Sequence, residues 1–102
     1  MRRRIKVPHY VLDGETRWGD GSMRLKIAER ISENDYNVMA VSREREILLD
    51  MSELKFLSSK EISRLLIISR QCGKKISFQN ANKQVRTTIR FFDLEGIFSF
   101  AG

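Results

Sequence analysis

The sequence predicts an α/β domain, and three observations in its second half carry that prediction. The unbroken apolar run at residues 47–49, which ends at Asp50, lacks alternation and is typical of a central strand with parallel neighbours. Between Ser58 and Gly73, apolar residues recur at helical spacing. Residues 76–79 alternate as a strand does. Strand, helix and strand over about 30 residues form a βαβ unit.

Length and composition predict one soluble domain spanning residues 1–102. The hydrophobic fraction of 41% and the charged fraction of 31% are typical of a globular protein. No apolar run approaches the roughly 20 residues that span a bilayer. The basic N-terminus at residues 1–5 lacks the apolar segment of a signal peptide, so we expect a cytoplasmic location. The single cysteine, Cys72, excludes an internal disulfide and is expected to be a buried or half-buried thiol.

The first part of the chain predicts a hairpin. Residues 3–13 have the β-branched and aromatic composition of a strand, with Pro8 at an edge, a bulge or a break. The Asp-Gly pair at residues 13–14 is a turn dipeptide, and residues 15–18 are the expected returning strand.

A first helix is expected to begin after Ser22, which is a suitable N-cap. Apolar residues recur every four positions at Met23, Ile27 and Ile31. This spacing predicts an amphipathic helix of about ten residues. Residues 32–37 are polar and are expected to break or bend it. Residues 38–41 fit either a helix or a short strand, and we favour a helix.

A second helix is predicted from residue 58, where Ser58 and Glu61 have the spacing of a capping box. Its apolar face is Ile62, Leu65, Leu66 and Ser69, widened by Ile67 and Ile68. Gly73 fits the left-handed position after the helix.

A third helix is predicted after the turn at residues 80–82, where asparagines are available as caps. Its apolar positions are Val85, Ile89 and Phe92. The apolar tail at residues 94–100 is expected to pack on the domain edge as a short strand or a helical turn.

No set of residues in the sequence predicts catalysis. His9 is the only histidine, and no cysteine or acid cluster stands near it at metal-ligand spacing. The carboxylates of Asp50 and Glu61 are better explained by a strand end and by helix capping. We therefore expect a non-enzymatic binding module without a metal ion or cofactor.

From residue 47 onward, the order and spacing of these motifs resemble the STAS domain, the fold of bacterial anti-sigma-factor antagonists. In that family, a strand ending in aspartate leads to an Asp-Ser-Ser-Gly-Leu helix start. Here the corresponding segments are ILLDMSELKFL, at residues 47–57, and SSKEI, at residues 58–62. The segments KKISFQ and VRTTIRFFDL match the following strand and helix, and Gly19-Asp20 resembles the end of the family's second strand.

The resemblance implies a STAS-like α/β domain with a mixed sheet of four to five strands. Its helices are interspersed and pack mainly on one face. It also implies binding to a serine-kinase-like anti-sigma factor or a related switch partner, in the regulation of transcription. The implied contact surface is the loop at residues 58–62 and the helix N-terminus, with Ser58, Ser59, Lys60 and Ser63 as partner-binding residues.

The helix start departs from the family at the position of its phosphorylated serine, which is Lys60 here. A serine kinase cannot modify lysine, and Lys60 adds a fixed positive charge at the positive end of the helix. Ser59 and Ser58 are the remaining candidates for phosphorylation, although the capping role already explains Ser58.

Two other functions are compatible with the sequence. STAS domains also accompany ABC-type lipid transporters and anion transporters, so the partner could be a transporter ATPase or permease. The net charge of +6 suggests binding of nucleic acid or another anionic surface through the basic N-terminus. The residues would be Arg2, Arg3, Arg4 and Lys6, with Arg17 and Trp18. We rank nucleic acid last, because the other charges alternate in sign, as expected for a solvated surface.

Overall fold

A computed structural model describes residues 10–12 and 15–101 of the chain. The described part contains six strands and three helices. The strands are β1 (Tyr10–Leu12), β2 (Glu15–Arg17), β3 (Ser22–Lys26), β4 (Glu46–Asp50), β5 (Lys75–Gln79) and β6 (Ser99–Ala101). The helices are α1 (Glu33–Val41), α2 (Ser59–Gln71) and α3 (Lys83–Phe91).

All six strands form one mixed sheet in chain order. The first three pair antiparallel, and β3 to β6 pair parallel. Each parallel connection contains one helix and moves to the next strand in the same direction. Since such crossovers share one hand, the three helices lie on one face of the sheet. The predicted α/β class is confirmed, although the sheet has six strands rather than four or five.

The core lies between this sheet face and the helices. Along β3, β4 and β5, the buried positions alternate with more accessible ones. The buried apolar residues of these strands are Met23, Leu25, Ile47, Leu49, Ile76 and Phe78, and the last residue of β4, Asp50, is buried as well. The ring of Phe78 contacts those of Phe98 and Phe100, with centroids 5.4 and 5.8 Å apart.

The helix predicted after Ser22 is wrong, because this segment is strand β3. Met23 and Ile27 are four residues apart, which fits a helix, but Leu25 lies between them and all three are buried. Apolar residues four positions apart fit the two-residue repeat of a strand as well as the 3.6-residue repeat of a helix, and this segment has the repeat of a strand.

The break predicted at residues 32–37 is also wrong, because α1 begins there. The Asp35 amide donates to Ser32 Oγ at 3.1 Å, and the Ser32 amide donates to Asp35 Oδ2 at 2.8 Å. This reciprocal pair is a capping box with aspartate at the third position. The preference for helix at residues 38–41 is confirmed, since they end α1.

The second half agrees with the predicted elements. Gly73 has a φ of 65° after α2, and Asn82 caps α3 through the Val85 amide, at 2.8 Å from Asn82 Oδ1. The apolar tail contains a turn at residues 95–97 and then enters β6. Three side chains differ from expectation: Cys72 is exposed, Ile67 is 51% exposed because it lies on the outer side of α2, and Phe92 is 44% exposed because α3 ends before it.

Several expectations lie outside the described residues. They are the strand before Tyr10 with Pro8, the turn at residues 13–14, and the basic residues near the N-terminus. Leu12 and Glu15 face each other across the β1–β2 pair. Among the described helices, none combines the length and apolar character needed to cross a bilayer.

The one-sided core predicts different costs for two adjacent leucines. Leu49 is fully buried against the helices, whereas Leu48 lies on the other face and is half-buried. Leu49→Ala should lower the free energy of unfolding by about 2–5 kcal/mol. Leu48→Ala should cost at least about 1 kcal/mol less, because it leaves no enclosed cavity. Chemical denaturation of both variants checks this, and equal costs would contradict the one-sided core.

Candidate functional site

The candidate site lies at the carboxyl end of the parallel strands. In this topology, β4 leads through the loop at residues 51–58 to the N-terminus of α2. The N-termini of α1 and α3 lie at the same end, because each follows a parallel strand. Open α/β sheets bind their ligands at this end, so its exposed groups are the first candidates for a functional surface.

The first turn of α2 is held by the predicted capping box. The Glu61 amide donates to Ser58 Oγ at 3.2 Å, and the Ser58 amide donates to Glu61 Oε1 at 2.9 Å. Glu61 is only 7% exposed, so this contact is made in a partly dry environment. The Ser58 hydroxyl is therefore engaged in the fold, and the helix start is rigid.

The other three predicted site residues share an exposed surface. Ser59, Lys60 and Ser63 are all exposed in α2. Because side chains three and four positions apart are neighbours on a helix, these three lie together. The four predicted partner-binding residues therefore have two roles. Ser58 caps the helix, and the other three are exposed to solvent.

Aromatic and cationic neighbours that the sequence reasoning missed extend this surface. Phe56, in the loop before α2, is 48% exposed, and the guanidinium of Arg30 lies 5.8 Å from its ring centroid. Arg30 and Phe56 are far apart in the sequence, so the periodicity of a single helix or strand could not predict this contact.

A second missed cluster joins α1 to α2. The Arg64 guanidinium lies 3.8 Å from the ring centroid of Tyr36, and both of its terminal nitrogens donate to the Glu33 carboxylate, Nη2 at 2.8 Å from Oε2. The hydrogen bond from Arg64 lowers the pKa of Glu33, and Glu33 in turn raises the pKa of Arg64. This ion pair fixes Arg64 beside Ser63.

Tyr36 is a buried residue of this cluster, and its hydroxyl has no hydrogen-bond partner among the described residues. Burial, with the nearby charge of Glu61, raises the pKa of Tyr36 to about 12. The phenol therefore stays protonated at physiological pH and offers no base.

Asp50 joins three strands at the carboxyl end of the sheet. Arg24 Nη2 donates to Asp50 Oδ2 at 2.6 Å, while the Ser52 amide and Asn80 Nδ2 donate to Oδ1 at 3.1 and 3.2 Å. Burial opposes ionisation, but these hydrogen bonds and the Arg24 charge together hold the pKa of Asp50 below its ordinary value. Asp50 is thus an ionised structural group.

The described residues contain no cluster of three or more histidine, cysteine, aspartate or glutamate side chains that could hold a metal ion. The chemistry at the α2 corner consists of two exposed hydroxyls, the Lys60 ammonium group, and the Phe56 ring with the Arg30 guanidinium beside it. Such groups bind other molecules through hydrogen bonds, charge and apolar contact.

Comparison with known proteins yields a likeness of fold. No model of a known protein family matches the chain, and no curated protein matches it. Among solved structures, it is similar to the NMR structure of the protein TM1081, with a TM-score of 0.67 and 12% identity over 99% of this chain and 89% of that one. At this identity, the likeness shows a shared α/β architecture.

The capping geometry predicts unequal effects for two adjacent serines. Ser58→Ala should lower the free energy of unfolding by about 1 kcal/mol, because the Glu61 amide loses its acceptor. Ser59→Ala, at an exposed helical position, should change it by less than about 0.5 kcal/mol. Urea denaturation of both variants tests the difference, and a neutral Ser58→Ala would argue against the cap.

The lowered pKa of Asp50 predicts a pH-dependent contribution to stability. The contribution is complete above the ordinary value of 3.8 and is lost as the pH falls through the lower pKa of the folded state. Asp50→Asn should therefore destabilise the protein at neutral pH, and its difference from wild type should shrink as the pH falls below the ordinary value of 3.8 and through the lower folded-state pKa.

The matched control is Glu53→Gln, since Glu53 is exposed and forms only a surface ion pair with Lys26 at 3.3 Å. Its difference from wild type should be small throughout, as expected for an exposed pair. Denaturation across the acid range measures both variants, and a constant Asp50→Asn difference would exclude ionised Asp50 as the cause.

Proposed function

We propose that the chain is a non-catalytic protein-interaction module of the STAS type, which binds a switch partner through the N-terminus of α2. The observation that carries this proposal is the rigid, capped helix start that presents Ser59, Lys60 and Ser63 to solvent. The resemblance of residues 47–98 to anti-sigma-factor antagonists supplies the partner class: a serine-kinase-like anti-sigma factor in the bacterial cytoplasm. The function would then be regulation of transcription.

Charge at this corner bears on how such binding is regulated. Lys60 occupies the position where the family's phosphorylated serine stands, so a phosphate cannot be added there. Of the two serines beside it, Ser59 is exposed, whereas the Ser58 hydroxyl accepts from the Glu61 amide. Ser59 is therefore the better substrate for a kinase, and phosphorylation would reverse the local charge beside Lys60.

The fixed charge of Lys60 also favours a second candidate function. A STAS-like subunit of an ABC-type transport assembly needs a permanent contact with its ATPase or permease rather than a phosphorylation switch. A neighbouring gene for a kinase-like anti-sigma factor would favour the first proposal, and neighbouring permease and ATPase genes would favour the second.

Charge reversal at the exposed corner tests the contact surface. Lys60→Glu should weaken recovery of the partner in an affinity pull-down from the native host, because it reverses the charge at the centre of the surface. The thermal midpoint should be nearly unchanged, since Lys60 is exposed.

Lys75→Glu is the matched control, because Lys75 is an exposed lysine at the opposite, amino end of the strands. It should recover the partner as the wild type does. Equal recovery by wild type and Lys60→Glu would show that this corner is not the interface.

A further inference from the structure

The outer surfaces of α2 and α3 carry an excess of positive charge, although Arg64 is paired with the exposed Glu33 of α1. The two helices flank β5 in the chain and lie on the same face of the sheet. Their cationic residues are Lys60, Arg64, Arg70, Lys83, Arg86 and Arg90, all exposed except the half-buried Arg64. The single acid of the two helices, Glu61, is buried in the capping box. This outer surface is defined here as the α2–α3 face.

Two apolar side chains protrude from the α2–α3 face. Ile67 of α2 is 51% exposed, and Phe91 at the end of α3 is 82% exposed. Phe91 packs edge to face with Phe92, which is itself 44% exposed, at a centroid distance of 5.3 Å. On α3, the helical period brings Phe91 beside Thr87 and Thr88, on the side away from the buried Val85.

We propose that the α2–α3 face adsorbs to an anionic lipid bilayer. The face shares Lys60 with the proposed partner site at the α2 N-terminus, and the variants that test the bilayer contact leave Lys60 in place. A layer of Lys and Arg with isolated apolar protrusions is the chemistry of interfacial membrane binding. The cations meet anionic headgroups, and Phe91 and Ile67 enter the boundary between headgroups and acyl chains.

Charge and shape favour the bilayer over other occupants. A second copy that used the same face would bring like charges together, which opposes a symmetric dimer. Single-stranded nucleic acid would also neutralise the cations and could stack on Phe91, but it offers no apolar environment to the aliphatic Ile67, whereas a bilayer accepts both side chains. A bilayer is deformable and accepts separate protrusions. Acids border the face at two places: Glu33 of α1 pairs with Arg64, and Asp93 and Glu95 follow α3, with Glu95 Oε1 3.6 Å from Arg90 Nε.

Co-sedimentation of the full chain with vesicles tests the proposal. The vesicles are phosphatidylcholine alone, or phosphatidylcholine with about a third phosphatidylglycerol. Wild type should sediment with the anionic vesicles only, and less so as salt is raised. Phe91→Ser should lower the bound fraction several-fold, and Arg70→Gln with Arg90→Gln should lower the partition coefficient about tenfold or more.

Matched control variants distinguish binding by the α2–α3 face from effects of overall hydrophobicity and net charge. Val41→Ser removes an apolar side chain that is 80% exposed on α1, and Arg43→Gln with Arg45→Gln removes two exposed cations from the loop before β4. Both should bind as wild type does, and circular dichroism should show that every variant is folded.

Three results would overturn the proposal. The first is that wild type fails to sediment with anionic vesicles at low salt. The second is that the variants of the α2–α3 face bind as well as wild type, which would assign the binding to another part of the chain. The third is that the protein binds mixed-sequence single-stranded DNA through the residues of the α2–α3 face but does not bind the vesicles, which would make the face a nucleic-acid surface.

Discussion

Burial of one face of a single sheet is the constraint on which this domain depends. The parallel strands β3 to β6 follow one another in chain order, so each connecting helix returns over the same face. The strands consequently alternate, with Ile47 and Leu49 in the core and Leu48 on the opposite side. The same order puts all three helix N-termini at the carboxyl end of the sheet.

That carboxyl end is stabilised by short-range polar contacts. Ser32, Ser58 and Asn82 each accept a backbone hydrogen bond from the first turn of a helix. Asp50 then connects β3 to the turn after β5, through Arg24 and Asn80. Because the backbone at this end is fixed by caps and a buried carboxylate, exposed residues such as Lys60 are presented on a rigid support, which a specific interface requires.

Local patterns predicted the second half of the fold and failed where two periods coincide. The apolar run before Asp50, the capping box at Ser58 and the glycine after α2 are each read from adjacent residues, and all three are present. Between Ser22 and Ser32, a spacing of four matched both a helix and a strand, and the sheet neighbours that decide between them are distant in sequence. The contacts of Arg64 with Tyr36, and of Arg30 with Phe56, could not be predicted for the same reason, since tertiary packing creates them.

Glu61 affects both the capped start of α2 and the charge on the outer side of this helix. It is the only acid of this helix, and capping requires it to turn inward to the Ser58 amide. Its negative charge is thereby withdrawn from the outer surface, where Lys60 and Arg70 remain exposed. The residue that caps the helix start is therefore also the reason that no acid of α2 itself lies on its outer side. A fold-stabilising contact thus determines the charge that any partner or bilayer meets.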